Sequence, residues 1–197
     1  MRRTLMAVGV VAVAAVLAAC GKEPARTALA AADAAIEAVR PEAETFAPAE
    51  WVALREAAEA AHGKFTKGDY TGALSAAQAL PAKASEVATA AAKKKQELLK
   101  AWADLQGQLP QLVRTLTEKV GALSRLKTLP KDVEKAAVEN AAEAMPGLSQ
   151  TWQDAVQAAA SGDVPAAVAR GEEVKARAEE LASSLGLAPA VEAGPAK

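Results

Sequence analysis

Apolar residues recur along most of this chain at spacings of three and four, the signature of helices with one buried face. No run of β-branched residues alternates with period two, so strands are not expected. A first helix over Pro24 to Arg40 places Leu29, Ala32, Ile36 and Val39 on one stripe. Pro41 and the segment Glu42 to Ala47 read as a turn. A second helix opens at Pro48, with Trp51, Leu54, Ala58, Ala61 and Phe65 on its seam. Gly68-Asp69 closes it: glycine accepts the left-handed conformation that ends a helix, and aspartate caps the next one.

The third helix, Tyr70 to Gln108, is the longest, and Tyr70, Ala73, Ala77, Leu80, Ala84, Val87 and Ala91 hold its seam in phase. Pro81 lies within it and predicts a kink, because proline deletes one hydrogen bond and crowds the preceding turn. Pro110, Pro130 and Pro146 read as the starts of a fourth, fifth and sixth helix. The fourth has the widest aliphatic face, from Leu112 and Val113 through Leu116, Val120 and Leu123 to Leu126. The sixth carries Leu148, Trp152, Ala155 and Ala159. Gly162-Asp163 repeats the earlier turn signal before a seventh helix, Val164 to Leu185. Residues 186–197 have no periodicity and read as a disordered tail.

The expected fold is therefore all-α, a bundle over residues 24–185 built from antiparallel hairpins at 48–108 and 146–185. The two Gly-Asp turns stand 94 positions apart, and that offset also pairs Leu54 with Leu148, Ala61 with Ala155 and Ala73 with Ala167. It further pairs Leu80 with Val174, Ala84 with Ala178 and Val87 with Leu181, which predicts a two-fold internal repeat.

Composition sharpens this picture. The chain has 197 residues, enough for one domain or two small helical units. Hydrophobic residues make up 51% but aromatics only 3%, and 54 alanines fill the difference. Such a chain packs many small contacts, and alanine is the best helix former. Lys+Arg 23 against Asp+Glu 24 gives a charge of −1, which removes the electrostatic case for nucleic acid. One Cys and one His exclude a disulfide framework and most metal sites. No cofactor, metal or catalytic residue is expected.

The amino terminus carries the most specific signal. Arg2 and Arg3 precede the apolar run Leu5 to Leu17, which is shorter than the roughly 20 residues needed to span a bilayer. It fits the h-region of a secretory signal. Leu17-Ala18-Ala19-Cys20-Gly21 resembles the bacterial lipobox. The resemblance implies a signal peptide over residues 1–19, cleavage recognised through Leu17, Ala18 and Ala19, and diacylglycerol on the Cys20 thiol. It also implies acylation of the new amino group and a short linker over residues 20–23. Two or three acyl chains anchor far more firmly than one. An uncleaved signal anchor with a chance cysteine is the alternative. Gly21 stands where an inner-membrane retention aspartate stands in enteric bacteria, which favours the outer membrane. Removing Arg2 and Arg3 leaves 21 basic and 24 acidic residues, a mature charge of −3.

Phe46-Ala47-Pro48-Ala49-Glu50, an alanine-rich helix, Gly68-Asp69-Tyr70 and Ala73 resemble a helical hairpin domain of unknown function found in Gram-negative envelope lipoproteins. The likeness covers Ala25 to Lys95, with a fainter echo in Leu148 to Leu185. Gly68-Asp69-Tyr70-Thr71-Gly72-Ala73 is also similar to the turn of a tetratricopeptide repeat. Ala57, Ala60 and Ala61 replace the larger residues of that repeat's first helix. Neither resemblance brings a catalytic residue.

The remaining polar features read as surface. His62 is the only histidine, beside seam position Ala61. Glu172, Glu173, Glu179 and Glu180 interleave with Lys175 and Arg177 at the spacing of exposed helix pairs, as do Glu134, Glu139 and Glu143. Lys93-Lys94-Lys95 with Lys100 forms a basic patch, a solvated helix face or a contact for anionic lipid headgroups. Trp51, Trp102 and Trp152 fall on or beside seams and read as core. The sequence thus points to a lipid-anchored, non-catalytic interaction or scaffold module in the periplasm. Its partner would be an envelope protein or peptidoglycan-linked machinery. The second reading is a carrier of a hydrophobic ligand or lipid between helices. Nothing in the chain indicates an oligomeric state.

Overall fold

The computed structural model describes the backbone of residues 2–130 and 133–187 and the side chains of residues 21–130 and 133–187. Among these residues the chain is helical and has no strand. Five helices follow in order: α1 (Arg2–Phe46), α2 (Pro48–Thr66), α3 (Tyr70–Leu123), α4 (Lys135–Ala160) and α5 (Val164–Ser184). The chain divides into two compact units, Met1–Lys94 and Lys95–Lys197, so α3 contributes its first part to one unit and its remainder to the other.

The first unit packs α1, α2 and the start of α3 around a core of small residues. Leu29, Ala32, Ile36 and Ala43 from α1 meet Trp51, Leu54 and Ala61 from α2 and Ala77, Leu80, Ala84, Val87 and Ala91 from α3. The second unit is built on larger aliphatics. Leu105, Leu109, Leu116 and Leu123 of α3 pack with Val138 and Leu148 of α4 and with Val174 and Leu181 of α5. Leu109 and Leu116 are fully buried. Each buried leucine stabilises its unit by about 1.5–3 kcal/mol relative to exposure.

The helix start expected at Pro48 is found, whereas those expected at Pro24, Pro110, Pro130 and Pro146 are not, and neither is the turn at Pro41. The turn expected at Pro41 and Glu42 to Ala47 is instead helix up to Phe46, and only Ala47 is non-helical before α2. Helical hydrogen bonds flank that single residue, Ala47 N–H to Ala43 O and Trp51 N–H to Ala47 O, both 2.9 Å. No fourth helix starts at Pro110, because α3 runs on through it to Leu123. The fifth and sixth helices are one, α4, which starts after Glu134 rather than at Pro130 and continues through Pro146. Residues 124–130, where Pro130 and Leu126 sit, carry no helix.

One physical reason covers these differences. An interior proline costs about 3 kcal/mol through its missing N–H and its clash with the preceding turn. Pro24, Pro41, Pro81, Pro110 and Pro146 all occupy exposed faces, and for Pro41, Pro110 and Pro146 the residue whose carbonyl loses its partner, Glu37, Gln106 or Ala142, is exposed as well. The buried seam keeps its phase on both sides of each: Ala77, Leu80 and Ala84 span Pro81, and Leu109 and Leu116 span Pro110. Breaking the helix would forfeit that burial.

Of the tail expected over residues 186–197, Gly186 and Leu187 are described, and they are ordered parts of the helix end. Gly186 has φ +67°, and Leu187 N–H bonds Ala182 O at 2.9 Å, so both residues close the end of α5. Leu187 packs on the second unit's core. Residues 188–197 lie outside the described residues.

Two positions measure how close the helices come. Ala77, only 1% exposed, faces the first core. A Cβ on Gly171 of α5 would stand 2.8 Å from Leu105 Cδ1 and 3.6 Å from Trp102 Cζ3 of α3. Ala77→Phe and Gly171→Leu are each expected to destabilise by about 1–3 kcal/mol through overpacking. Chemical denaturation followed by helical circular dichroism checks this. A stable, unchanged midpoint for either variant would mean the seam is looser than described.

Candidate functional site

The sequence-marked turns close their helices in the same way. Gly68 has φ +82° and Gly162 φ +87°, the left-handed region where a Cβ is unfavourable. In the first turn Gly68 N–H bonds Phe65 O and Asp69 N–H bonds Lys64 O, each 3.0 Å. In the second, Gly162 N–H bonds Ala159 O at 3.0 Å and Asp163 N–H bonds Ala158 O at 2.9 Å. This paired closure satisfies the last carbonyls of each helix. The aspartates then cap the following helix: Gly72 N–H donates to Asp69 Oδ1 at 2.9 Å, and Ala166 N–H to Asp163 Oδ1 at 3.1 Å. Each of these closing and capping bonds has its counterpart 94 positions on, and Leu54 and Leu148, Ala73 and Ala167, and Leu80 and Val174 are all buried.

The first turn lies beside α1 at Gly21, the first residue whose side-chain surroundings are described. Phe65 and Tyr70 flank it as an edge-to-face pair with ring centroids 5.2 Å apart. A Cβ placed on Gly21 would meet Tyr70 Cβ at 3.4 Å, ordinary contact distance. Gly21 directly follows Cys20, so the residue expected to carry lipid leads into this part of the unit. Leu17, Ala18, Ala19 and Cys20 lie on α1, but their side chains fall outside the described residues. Ala25 is already fully buried, which leaves no extended linker between Cys20 and the packed unit.

His62 is bonded to Asp33, with Nε2 2.9 Å from Oδ1, and so ties α2 to α1 at an exposed position. Asp33 carried no signal in the sequence, because its partner lies 29 residues away. Trp102 and Trp152 come together in the second unit with centroids 5.5 Å apart, while Trp51 of the first unit lies under the Arg40 guanidinium at 5.8 Å. The glutamate runs make short-range helix pairs: Lys135 with Glu139 at 3.4 Å, and Arg177 with Glu180. Lys93 and Lys94 are exposed on α3. Among the described residues, no three His, Cys, Asp or Glu side chains converge as metal ligands. Among them, no helix is long and apolar enough to cross a membrane.

The second unit also holds an open groove of about 320 Å³ between α3 and the end of α5. Leu109, Leu112, Leu116 and Leu187 make its apolar lining, with Lys175 and Glu179 among the polar residues beside them.

No protein-family description, curated protein or solved structure matches the chain.

The two caps allow a direct measurement. Asp69→Ala and Asp163→Ala are each expected to lower stability by about 1 kcal/mol, the usual worth of an N-cap side chain. Asn at either position should recover most of the loss, since it offers the same acceptor. Urea midpoints compared across the Asp, Asn and Ala series check both.

Proposed function

We propose that this chain is a lipid-anchored protein of the bacterial envelope, a non-catalytic interaction or scaffold module on the periplasmic side of the outer membrane. The observation that carries the reading is the closeness in sequence of the lipobox-like Leu17-Ala18-Ala19-Cys20 to packed structure, with Ala25 fully buried five residues after Cys20. Acyl groups on Cys20 would hold the first unit against the bilayer rather than on a tether. Confinement to a surface raises the effective concentration of the helical faces toward membrane-bound partners without any new contact. Val52, Leu99 and Val156, each at least 40% exposed, are large apolar side chains on those faces. The partner this arrangement suits is an envelope protein or peptidoglycan-linked machinery. Growth with labelled palmitate should place the label on the chain and start the mature protein at Cys20. Cys20→Ser should lose the label, remain unprocessed at this site and no longer mature like wild type. An unlabelled wild type that partitions and matures like Cys20→Ser would overturn the anchor.

The groove beside Leu109, Leu112, Leu116 and Leu187 favours a second reading, a carrier of a hydrophobic ligand. Its volume falls at the lower end of the roughly 300–1,000 Å³ typical of ligand sites. Native mass spectrometry of the purified protein should then show a stoichiometric small molecule that Leu116→Trp displaces. A spectrum of the bare chain alone would remove this reading.

A further inference from the structure

We infer that the end of the first unit formed by Gly21 to Arg26 and by the Lys64 to Tyr70 turn docks on a bilayer surface bearing anionic headgroups. The inference rests on lipidation at Cys20 and says which face of the unit the anchor presses to the membrane. Gly21 lies so near Tyr70 that a Cβ on it would stand 3.4 Å from Tyr70 Cβ, which places the turn beside the residue that follows Cys20.

The charges at this end are arranged for an external anion. Four basic residues (Lys22, Arg26, Lys64 and Lys67) stand against two acidic ones, Glu23 and Asp69. Both acids are engaged locally, Glu23 with Arg26 at 3.2 Å and Asp69 with the Gly72 N–H at 2.9 Å. Lys22, Lys64 and Lys67 are exposed and make no ion pair among the described residues. Lys64 lies in the last turn of α2, where the helix dipole favours a cation. Lys22 has no such reason. After cleavage before Cys20 it stands in the first turn of α1, where the dipole disfavours a cation, so its charge is better matched by a phosphate outside the protein.

The opposite end of α1 and α2 has the other sign. Residues 37–50 carry Glu37, Glu42, Glu44 and Glu50 against Arg40 alone. An anionic surface is therefore matched by the Gly21 end, where four bases face two acids, while at the other end the glutamates of α1 and α2 are offset by the exposed Lys93 and Lys94 of α3. Phe65 and Tyr70, both partly exposed between the lysines, supply the amphipathic rings that settle at headgroup level. Lys93 and Lys94 lie about 35 Å along α3 from Tyr70 at 1.5 Å per residue, beyond the roughly 10 Å reach of surface charge at ordinary salt. They serve as internal references.

The test uses the full lipidated protein in vesicles of phosphatidylglycerol with phosphatidylethanolamine, and separately in vesicles of phosphatidylcholine alone. Lysines are methylated reductively with formaldehyde, which condenses to an iminium, and dimethylamine–borane, which supplies the hydride; both reagents are neutral and not repelled by surface charge, and each site is read by mass spectrometry. Lys22, Lys64 and Lys67 should lose reactivity several-fold on the anionic vesicles and regain it at high salt, with Lys93 and Lys94 unchanged. In the double variant Lys64→Glu, Lys67→Glu, protection of Lys22 should disappear although the protein stays on the vesicles. Equal reactivity on both vesicles, or protection of Lys93 and Lys94 to the same degree, overturns the docking while leaving the anchor intact. An intact mass without acyl chains overturns the anchor and the docking together.

Discussion

The structure depends on burial along a seam that repeats every three and four residues and that, in the first unit, sets fully enclosed alanines among a few larger residues such as Leu29, Trp51 and Leu80. Ala25, Ala32, Ala43, Ala61, Ala73 and Ala91 have no exposed surface at all. An alanine brings little apolar area, so the core gains chiefly through the closeness that a methyl group permits between helices. Alanine also loses no rotamer freedom on burial, and the ordering cost there falls on the backbone alone. The second unit solves the same problem with leucines on α3, and its one very close approach, at Gly171, is where a large side chain from α3 needs room.

That constraint explains which parts of the fold could be read directly. Seam residues and Gly-Asp turns were legible because each is a local requirement: three-four spacing for burial, positive φ for glycine, an acceptor for the first amide groups. Proline misled for the complementary reason. Its local preference is to start helices, yet Pro41, Pro110 and Pro146 sit inside them because long-range burial on the opposite face outweighs one missing hydrogen bond. Local chemistry alone cannot weigh that trade.

The same division holds at the candidate site. Cys20 and its neighbours are marked by their order in the chain, whereas the close approach of Gly21 to Tyr70 and the Asp33–His62 bond join residues far apart in sequence. Three lysines that look scattered at positions 22, 64 and 67 belong to one end of a folded unit only once α1 lies along α2. The conspicuous run Lys93-Lys94-Lys95 is a feature of sequence proximity and lies far along α3 from the expected anchor.

The enclosed alanines of the seam also shape how the first unit can change over generations. At a fully enclosed alanine, glycine loosens the helix and nearly every other residue is too large. These positions therefore have almost no neutral neighbours in sequence space. Outward-facing positions meet no such limit. Adaptation to a new partner would fall on the outer faces and the turn, and the buried stripe would stay still beneath them.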